Sequence, residues 1–376
     1  MNGKKWRILK GQRHGFWSFI NLIRLRQENV LVEHLNNTKN MRKFTLLFLA
    51  LAMCMVKGNA QQDPMFTKYM FNSLAFNPAF AGSPDYLQVR MLYRNQWWNI
   101  EGAPTTQAFT IHTPVKEKIG LGLSVVNDKI GSTGSTSAYL SYAYRMNFSK
   151  GKLSLGLQAG AMNWRADFSD LRYRDPRELD EVFNENDQTR LLPNFGAGIF
   201  YYTQKFYVGF SVPHLVSWEL QDEINPAAVK SARYYRHYYF SAGAAFPLNG
   251  SALYFKPSIL IKSVGLLGNF SEDANSLNQV GAPTEFDLDL SFLFYESLWL
   301  GVSFRSAFEA EQFGGNSSFD SVDIWAAFYL QNGMRIGLAY DYSVTQLQRH
   351  ADGSFEVMLG YDLNFQAKKF VTPRYF

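Results

Sequence analysis

Cysteine is almost absent: the 376 residues hold one, Cys54, and it lies in an apolar stretch near the amino end. Disulfides, cysteine zinc sites and thiol nucleophiles are therefore excluded from everything downstream. Histidine is scarce as well. His112, His214, His237 and His350 are the four beyond residue 60, and none sits in a Gly-x-Ser-x-Gly elbow or a His-Glu-x-x-His helix. The acidic run at 175–187 (Glu178, Asp180, Glu181, Glu185, Asp187) matches no calcium-loop spacing and is expected to be a solvated loop. No catalytic residue, metal or cofactor is expected. Long apolar runs are missing too: none after residue 60 reaches the ~18 residues of a membrane-spanning helix, so any crossing must be made by strands.

Excess positive charge is also missing once the amino end is set aside. Residues 1–60 hold 11 of the 37 Lys and Arg but 2 of the 32 acids, leaving 26 bases against 30 acids and a formal charge of −4. A nucleic-acid partner is not expected. Met41, Arg42 and Lys43, followed by FTLLFLALAMCMV and then Gly58, Asn59 and Ala60, form a leader pattern with cleavage expected before Gln61. Met53 is too large to precede a lipidated cysteine, so no lipid anchor is expected. The expected division is 1–40 as an extension or over-called start, 41–60 as signal peptide, 61–83 as a plug-like or periplasmic segment, 84–366 as the main domain and 367–376 as a tail.

What is abundant is alternation. Phe286, Leu288, Leu290, Phe292 and Phe294 oppose Asp287, Asp289 and Ser291; Ile119, Leu121, Leu123 and Val125 oppose Gly120, Gly122 and Ser124. A period of two is strand periodicity, and about fourteen such segments of roughly ten residues follow one another. Short connections, such as the one at Asn249-Gly250 and that at Asn332-Gly333, take turns with long ones, 127–132, 166–191, 214–233 and 263–283 among them. That parity favours an all-β, antiparallel transmembrane β-barrel of about 14 strands over a soluble sandwich. Trp97, Trp98, Trp299 and Trp325 are expected at headgroup depth. Arg90, Arg94, Arg145, Arg305 and Arg335 are expected to share the lumen with Asp287, Asp289, Asp323, Asp341, Glu356 and Asp362, pairing internally. The segment 61–83 reads as a short helix broken at Asn77-Pro78, too apolar to float free, with the lumen or the periplasmic mouth as its cover.

The runs Asp63-Pro64-x-Phe66-x-x-Tyr69-Met70-x-Asn72 and Asn77-Pro78-Ala79-Phe80-Ala81-Gly82 are followed by Tyr93-Arg94-x-Gln96-Trp97, Glu101-Gly102-Ala103-Pro104-Thr105-Thr106-Gln107 and a stretch from Gly120 to Gly131 that includes Asn127 and Asp128. Together they resemble the PorP/SprF family of outer-membrane proteins of the type IX secretion system. The resemblance implies a non-enzymatic barrel in outer-membrane lipid that helps export or surface-tether a large cargo protein, in some members a gliding adhesin, beside periplasmic secretion lipoproteins. On the residues alone, Gly102-Ala103-Pro104 is expected to shape the first outer hairpin, and Asn127-Asp128-Lys129 a turn ordering an outer loop. A FadL-like or porin-type channel for small solutes is the rival, since it shares fold and compartment. The tail at 366–376, ending in aromatics, reads as a barrel-assembly signal.

Overall fold

The computed structural model describes residues 66–167, 188–219, 233–250, 252–264, 284–307, 319–345 and 349–363. The leader, the acidic run and the tail of the sequence reading lie outside these residues.

The strands are β1 (Leu87–Asn95), β2 (Thr105–Lys116), β3 (Ile119–Ile130), β4 (Thr133–Phe148), β5 (Gly151–Ala166), β6 (Gln188–Tyr202) and β7 (Phe206–Val212). They continue as β8 (Trp218–Glu219), β9 (Arg233–Tyr234), β10 (His237–Ala244), β11 (Phe246–Asn249), β12 (Leu253–Val264), β13 (Glu285–Phe294), β14 (Leu298–Ala307), β15 (Phe319–Tyr329), β16 (Met334–Ser343) and β17 (Ser354–Leu363). Strands β8 and β9 form a separate small hairpin. The others pair antiparallel with their neighbours around one sheet, and β17 returns to β1, with Leu87 opposite Leu363. Both β10 and β11 pair with β12, so they are two parts of one stave interrupted at Ala245. The result is a closed barrel of fourteen staves. Closure pairs the edges that an open sheet would expose, which is what lets strands cross a bilayer.

Burial is inverted relative to a water-soluble protein. Along β13, Asp287, Asp289 and Ser291 are buried, while Leu288, Leu290 and Phe292 are exposed. On the outer face of β4, Leu140 is 67% exposed, whereas Ser141 beside it is buried. Charge inside and leucine outside is stable only with lipid around the wall. Among the described residues no helix is long and apolar enough to cross a membrane.

Loop parity holds with one exception. Gly131 and Ser132 alone join β3 to β4, because Asn127, Asp128 and Lys129 pair with Thr136, Ser135 and Gly134 inside the sheet. The expected outer turn at 127–129 is therefore strand, and the bend is made by Gly131 at φ +56°. Polar side chains on both faces made this stretch look like loop; it is the end of a tall hairpin, where neither face needs lipid.

Two further expectations change. The amino-terminal segment is not an α-helix but three single 3₁₀ turns, Tyr69–Phe71, Ser73–Ala75 and Pro78–Phe80. Asn77 is extended (φ −132°, ψ 106°) and its side chain caps Ala79 N at 2.9 Å, so the break before Pro78 falls where expected. Trp299 and Trp325, expected at headgroup depth, point into the barrel and are each 5% exposed. Their phase explains it: Trp299 shares a strand face with Ser303 and Arg305, and Trp325 with Asp323.

Candidate functional site

The lumen is occupied by the chain's own residues 66–86. This segment bonds to staves all around the wall: Tyr69 Oη donates to Ser258 Oγ on β12 (2.8 Å), Thr110 Oγ1 on β2 donates to Asn72 Oδ1 (2.7 Å), and Ser211 Oγ on β7 donates to Phe76 O (2.7 Å). Only a segment inside the barrel reaches all three.

At the long-loop half of the lumen the contact is ionic. Lys68, 0% exposed, places Nζ 3.4 Å from Asp289 Oδ2, against Ser303 Oγ, and 4.9 Å from the centre of the Trp325 ring. Glu356 accepts from the backbone N–H of Thr67 at 2.8 Å and of Lys68 at 3.1 Å. Thr67 Oγ1 donates to Asp341 Oδ2 at 2.7 Å, and Arg94 Nη1 lies 2.5 Å from the same oxygen and bonds Thr67 Oγ1. Arg305 grips Asp287 through two donors at 2.7 and 3.2 Å and reaches Phe66 O at 3.4 Å. Buried charges persist only when paired and hydrogen-bonded, and here the partners come from both wall and segment.

Deeper in, packing replaces charge. Phe71 lies 5.2 Å from Trp299 and 5.8 Å from Trp325, ring centre to ring centre, and Phe80 lies 5.3 Å from Phe200. The Pro78–Phe80 turn presses against Gly156 of β5, where a Cβ would come within 2.1 Å of Ala79 N. Beside it, a Cβ on Gly120 would meet Ala81 O at 2.0 Å. Here glycine in a strand marks close approach of another backbone. Near the short-turn rim, Arg145 Nη1 donates to Gly82 O (2.5 Å) and Nη2 to Lys116 O (2.8 Å), while Gly82 N donates to His112 Nδ1 (3.2 Å). Gly82 itself has φ +67°, which favours glycine as the chain turns toward β1.

The motif residues fall into three places. Asn77, Pro78, Ala79 and Gly82 belong to the lumenal segment, and Asn77 Nδ2 also donates to Ile199 O of β6 (3.2 Å). Arg94 is in the ionic cluster, and Gln96, with its amide oxygen toward Arg94, accepts from Nη2 and Nε at 3.1 Å each. The others shape the first hairpin and its neighbour. Trp97 takes φ +49° and its N–H donates to Ser354 Oγ (3.2 Å); Gly102 takes φ +74° and its carbonyl accepts from Gly131 N (2.8 Å). Ala103 N donates to Ile100 O (3.2 Å), and Pro104 O accepts from Gln96 N (2.9 Å). Thr105 opens β2, Gln107 and Glu101 are exposed, and Tyr93 faces outward against Phe355. Asp128 accepts from Thr106 Oγ1 (2.5 Å), and Asn127 from Thr136 Oγ1 (2.8 Å). The motif thus joins a lumenal anchor to a rim; it does not converge on one reactive centre. Among the described residues no cluster of His, Cys, Asp and Glu is arranged to hold a metal. Lys68 and Thr67 were not singled out from sequence, although an isolated Thr-Lys within an apolar segment was the available signal.

The fold and the charged lumen define the class: an outer-membrane-type β-barrel, with residues of its amino-terminal segment bonded to the inward face of the wall. The profile of the type IX secretion system membrane proteins PorP/SprF matches residues 58–361, and the chain belongs to that family. The family is one of secretion-system membrane barrels, not of enzymes. No curated protein matches. Similar solved structures include the CymD monoaromatic hydrocarbon channel (10% identity, 80% of this chain and 93% of that one, TM-score 0.47). Two more are a Pseudomonas aeruginosa FadL homologue (13%, 78% and 94%, 0.43) and the Acinetobacter baumannii outer membrane protein Omp33 (7%, 74% and 98%, 0.41).

Proposed function

We propose that this barrel helps export or surface-tether a large secreted cargo protein, a gliding adhesin being one such cargo, and does so without catalysis, beside periplasmic secretion lipoproteins. The observation that carries the reading is the lumenal segment. Its bonds to β2, β7, β12, β13 and β17 favour a barrel that serves as a support over one that serves as a conduit. Family membership supplies the secretion context. The long connections at one rim are the surfaces offered to cargo, and the short turns at the other are those offered to periplasmic partners. The chain reaches its membrane through a leader at 41–60, so the isolated protein is expected to begin at Gln61.

The test is to crosslink the tagged protein in its native outer membrane and identify partners by mass spectrometry after mild detergent extraction. Recovery of a large secreted protein or of secretion lipoproteins supports the proposal. Recovery of the barrel alone, with solute conductance in planar bilayers, refutes it in favour of a FadL-like or porin-type channel.

A further inference from the structure

The two halves of the short-turn rim differ in charge. Around the turns that join β2 to β3, β4 to β5 and β6 to β7 lie Lys116, Lys118, Arg145, Lys150, Lys152 and Lys205, with Asp85 and Glu117 beside them, six bases to two acids. On the other half, the short turns at 247–252, 295–297 and 330–333 hold one charge, Glu296, and Arg90 and Arg335 near them are both engaged by Asp362. Arg145 and Lys152 each lie 3.7 Å from Asp85. Lys116, Lys118, Lys150 and Lys205 are exposed, and no ion pair engages their amines among the described residues.

Strand phase separates these bases from the lipid. Lys118 continues the row of Gly120 and Gly122, Lys152 that of Ser154 and Gly156, and Lys205 that of Tyr207 and Gly209, all of which face the lumen. The outward positions at the same level include Phe148 and Phe206, both exposed. The rim is thus apolar toward lipid and basic toward the mouth of the barrel. Consecutive turns of this crescent are two staves apart, about 10 Å at ~4.8 Å per stave. That is close to the ~8 Å over which physiological salt screens a charge, so the potentials of neighbouring turns reinforce one another.

We infer that this basic crescent docks an acidic, extended segment of a periplasmic protein across the mouth of the barrel. The three turns span four stave spacings, about 20 Å, which an extended chain covers in about six residues at ~3.3 Å each. Asp85, held between Arg145 and Lys152, shows a carboxylate already seated at one point of the arc. A basic segment would be repelled, and a neutral one would leave the lysines as they are. Phospholipid phosphates lie on the far side of Phe148 and Phe206, away from the face that the lysine rows share. The inference rests on the reading above for its setting, since that reading makes the short turns the periplasmic rim; the chemistry of the partner comes from the charge pattern alone.

The test is made with the full chain in its native outer membrane. A photo-crosslinking residue replaces Ser149 or Gln204 within the crescent, with Gln331 on the other half of the rim as control. Adducts with a periplasmic protein from positions 149 and 204 but not from 331 are expected, and the contact should map to a run of Asp and Glu. Lys118→Gln, Lys150→Gln and Lys205→Gln together should lower the yield roughly tenfold in a barrel that still folds by heat-modifiable gel mobility. Raising salt from about 0.05 M to about 0.5 M in isolated membranes should act in the same direction.

Phospholipid adducts in place of protein, equal yields from position 331, a contact segment without acids, or a yield unchanged by the triple substitution overturns the inference. Labelling of Ser149→Cys by an impermeant maleimide on intact cells does so too, because this rim would then face outward. If crosslinking of the tagged protein recovers cargo or secretion lipoproteins while positions 149 and 204 capture nothing, the crescent falls and the cargo reading stands. If the crescent captures an acidic segment as described but neither cargo nor secretion lipoproteins are recovered, the cargo reading falls and the docking surface remains.

Discussion

Replacing Lys68 by methionine keeps the length of the side chain and deletes its charge. What is left behind is Asp289, still buried, with Oδ2 accepting from Ser303 Oγ (2.6 Å) and Trp325 Nε1 (2.9 Å), and with Oδ1 lacking any hydrogen-bond partner among the described residues. Breaking a buried pair by removing one member costs about 3–5 kcal/mol. The two neutral donors that remain place the loss at the lower end, about 3 kcal/mol, which raises the population of undocked segment roughly a hundredfold. The absence of cysteine beyond residue 60 gives a clean assay: Ser73→Cys, on the second 3₁₀ turn, becomes the single thiol beyond residue 60, and Cys54→Ser removes the other if the leader is retained. Its maleimide labelling rate follows the open population when closing is faster than reaction. Labelling should quicken about a hundredfold in Lys68→Met and slow again when Asp289→Asn is added, because the stranded carboxylate is then gone. Labelling of Lys68→Met at the parental rate, or no slowing in the double variant, refutes the argument that an uncompensated buried charge is what opens the segment.

Other consequences are simpler to state. Gly156→Ala sets a methyl group against Ala79 N, and the ~1–3 kcal/mol of overpacking should loosen the segment, read as faster labelling at position 73 with unchanged strand content by circular dichroism. Leu140→Lys, near the middle of β4 on the lipid face, should destabilise the barrel by ~2–4 kcal/mol in urea titrations from bilayers, and stability equal to the parent would contradict the assignment of that face. Deleting Arg374, Tyr375 and Phe376 should lower outer-membrane insertion measured by fractionation; normal insertion would remove the assembly-signal reading of the tail.

Much of this fold was legible because a barrel strand has only one rule, the period of two, and fourteen repetitions of it leave little room for accident. The lumenal charges were readable for the same reason. Arg305 and Asp287 stand on even-numbered offsets from the small inward residues of their strands, and they meet across β13 and β14 as register partners. The same rule, applied to Trp299 and Trp325, places both inside; residue type suggested a headgroup belt, and phase should have outranked it. Asn127 and Asp128 were misread for a different reason. Above the bilayer both faces of a strand are polar, alternation disappears, and a tall hairpin looks like a loop. The docking of residues 66–86 was legible only as a need for cover. Which staves it touches depends on glycine and serine positions in β3, β5 and β12 that carry no message until the chain is closed.

The polar lumen also bears on how the barrel acquires one register. In a strand with period two, a slip of one residue exchanges its faces, so Asp287 and Asp289 would enter lipid while Leu288 and Leu290 turned inward. A lysine or arginine on the lipid face costs about 2–4 kcal/mol near mid-bilayer, and Arg90, Arg94, Arg145, Arg305 and Arg335 each lie on a stave that would suffer this in the slipped state. An apolar lumen filled by an apolar segment would have no such penalty, because both faces would accept lipid. Charges inside therefore discriminate against misregistered insertion, and the same charges require a partner once the wall has closed. The lumenal segment supplies it through Lys68 and the backbone donors of Thr67 and Lys68, at carboxylates on β13 and β17 that the wall's own cations only partly satisfy. On this argument the segment and the register are one device, and a chain with the segment's charged anchor removed should close its barrel correctly but hold its interior loosely.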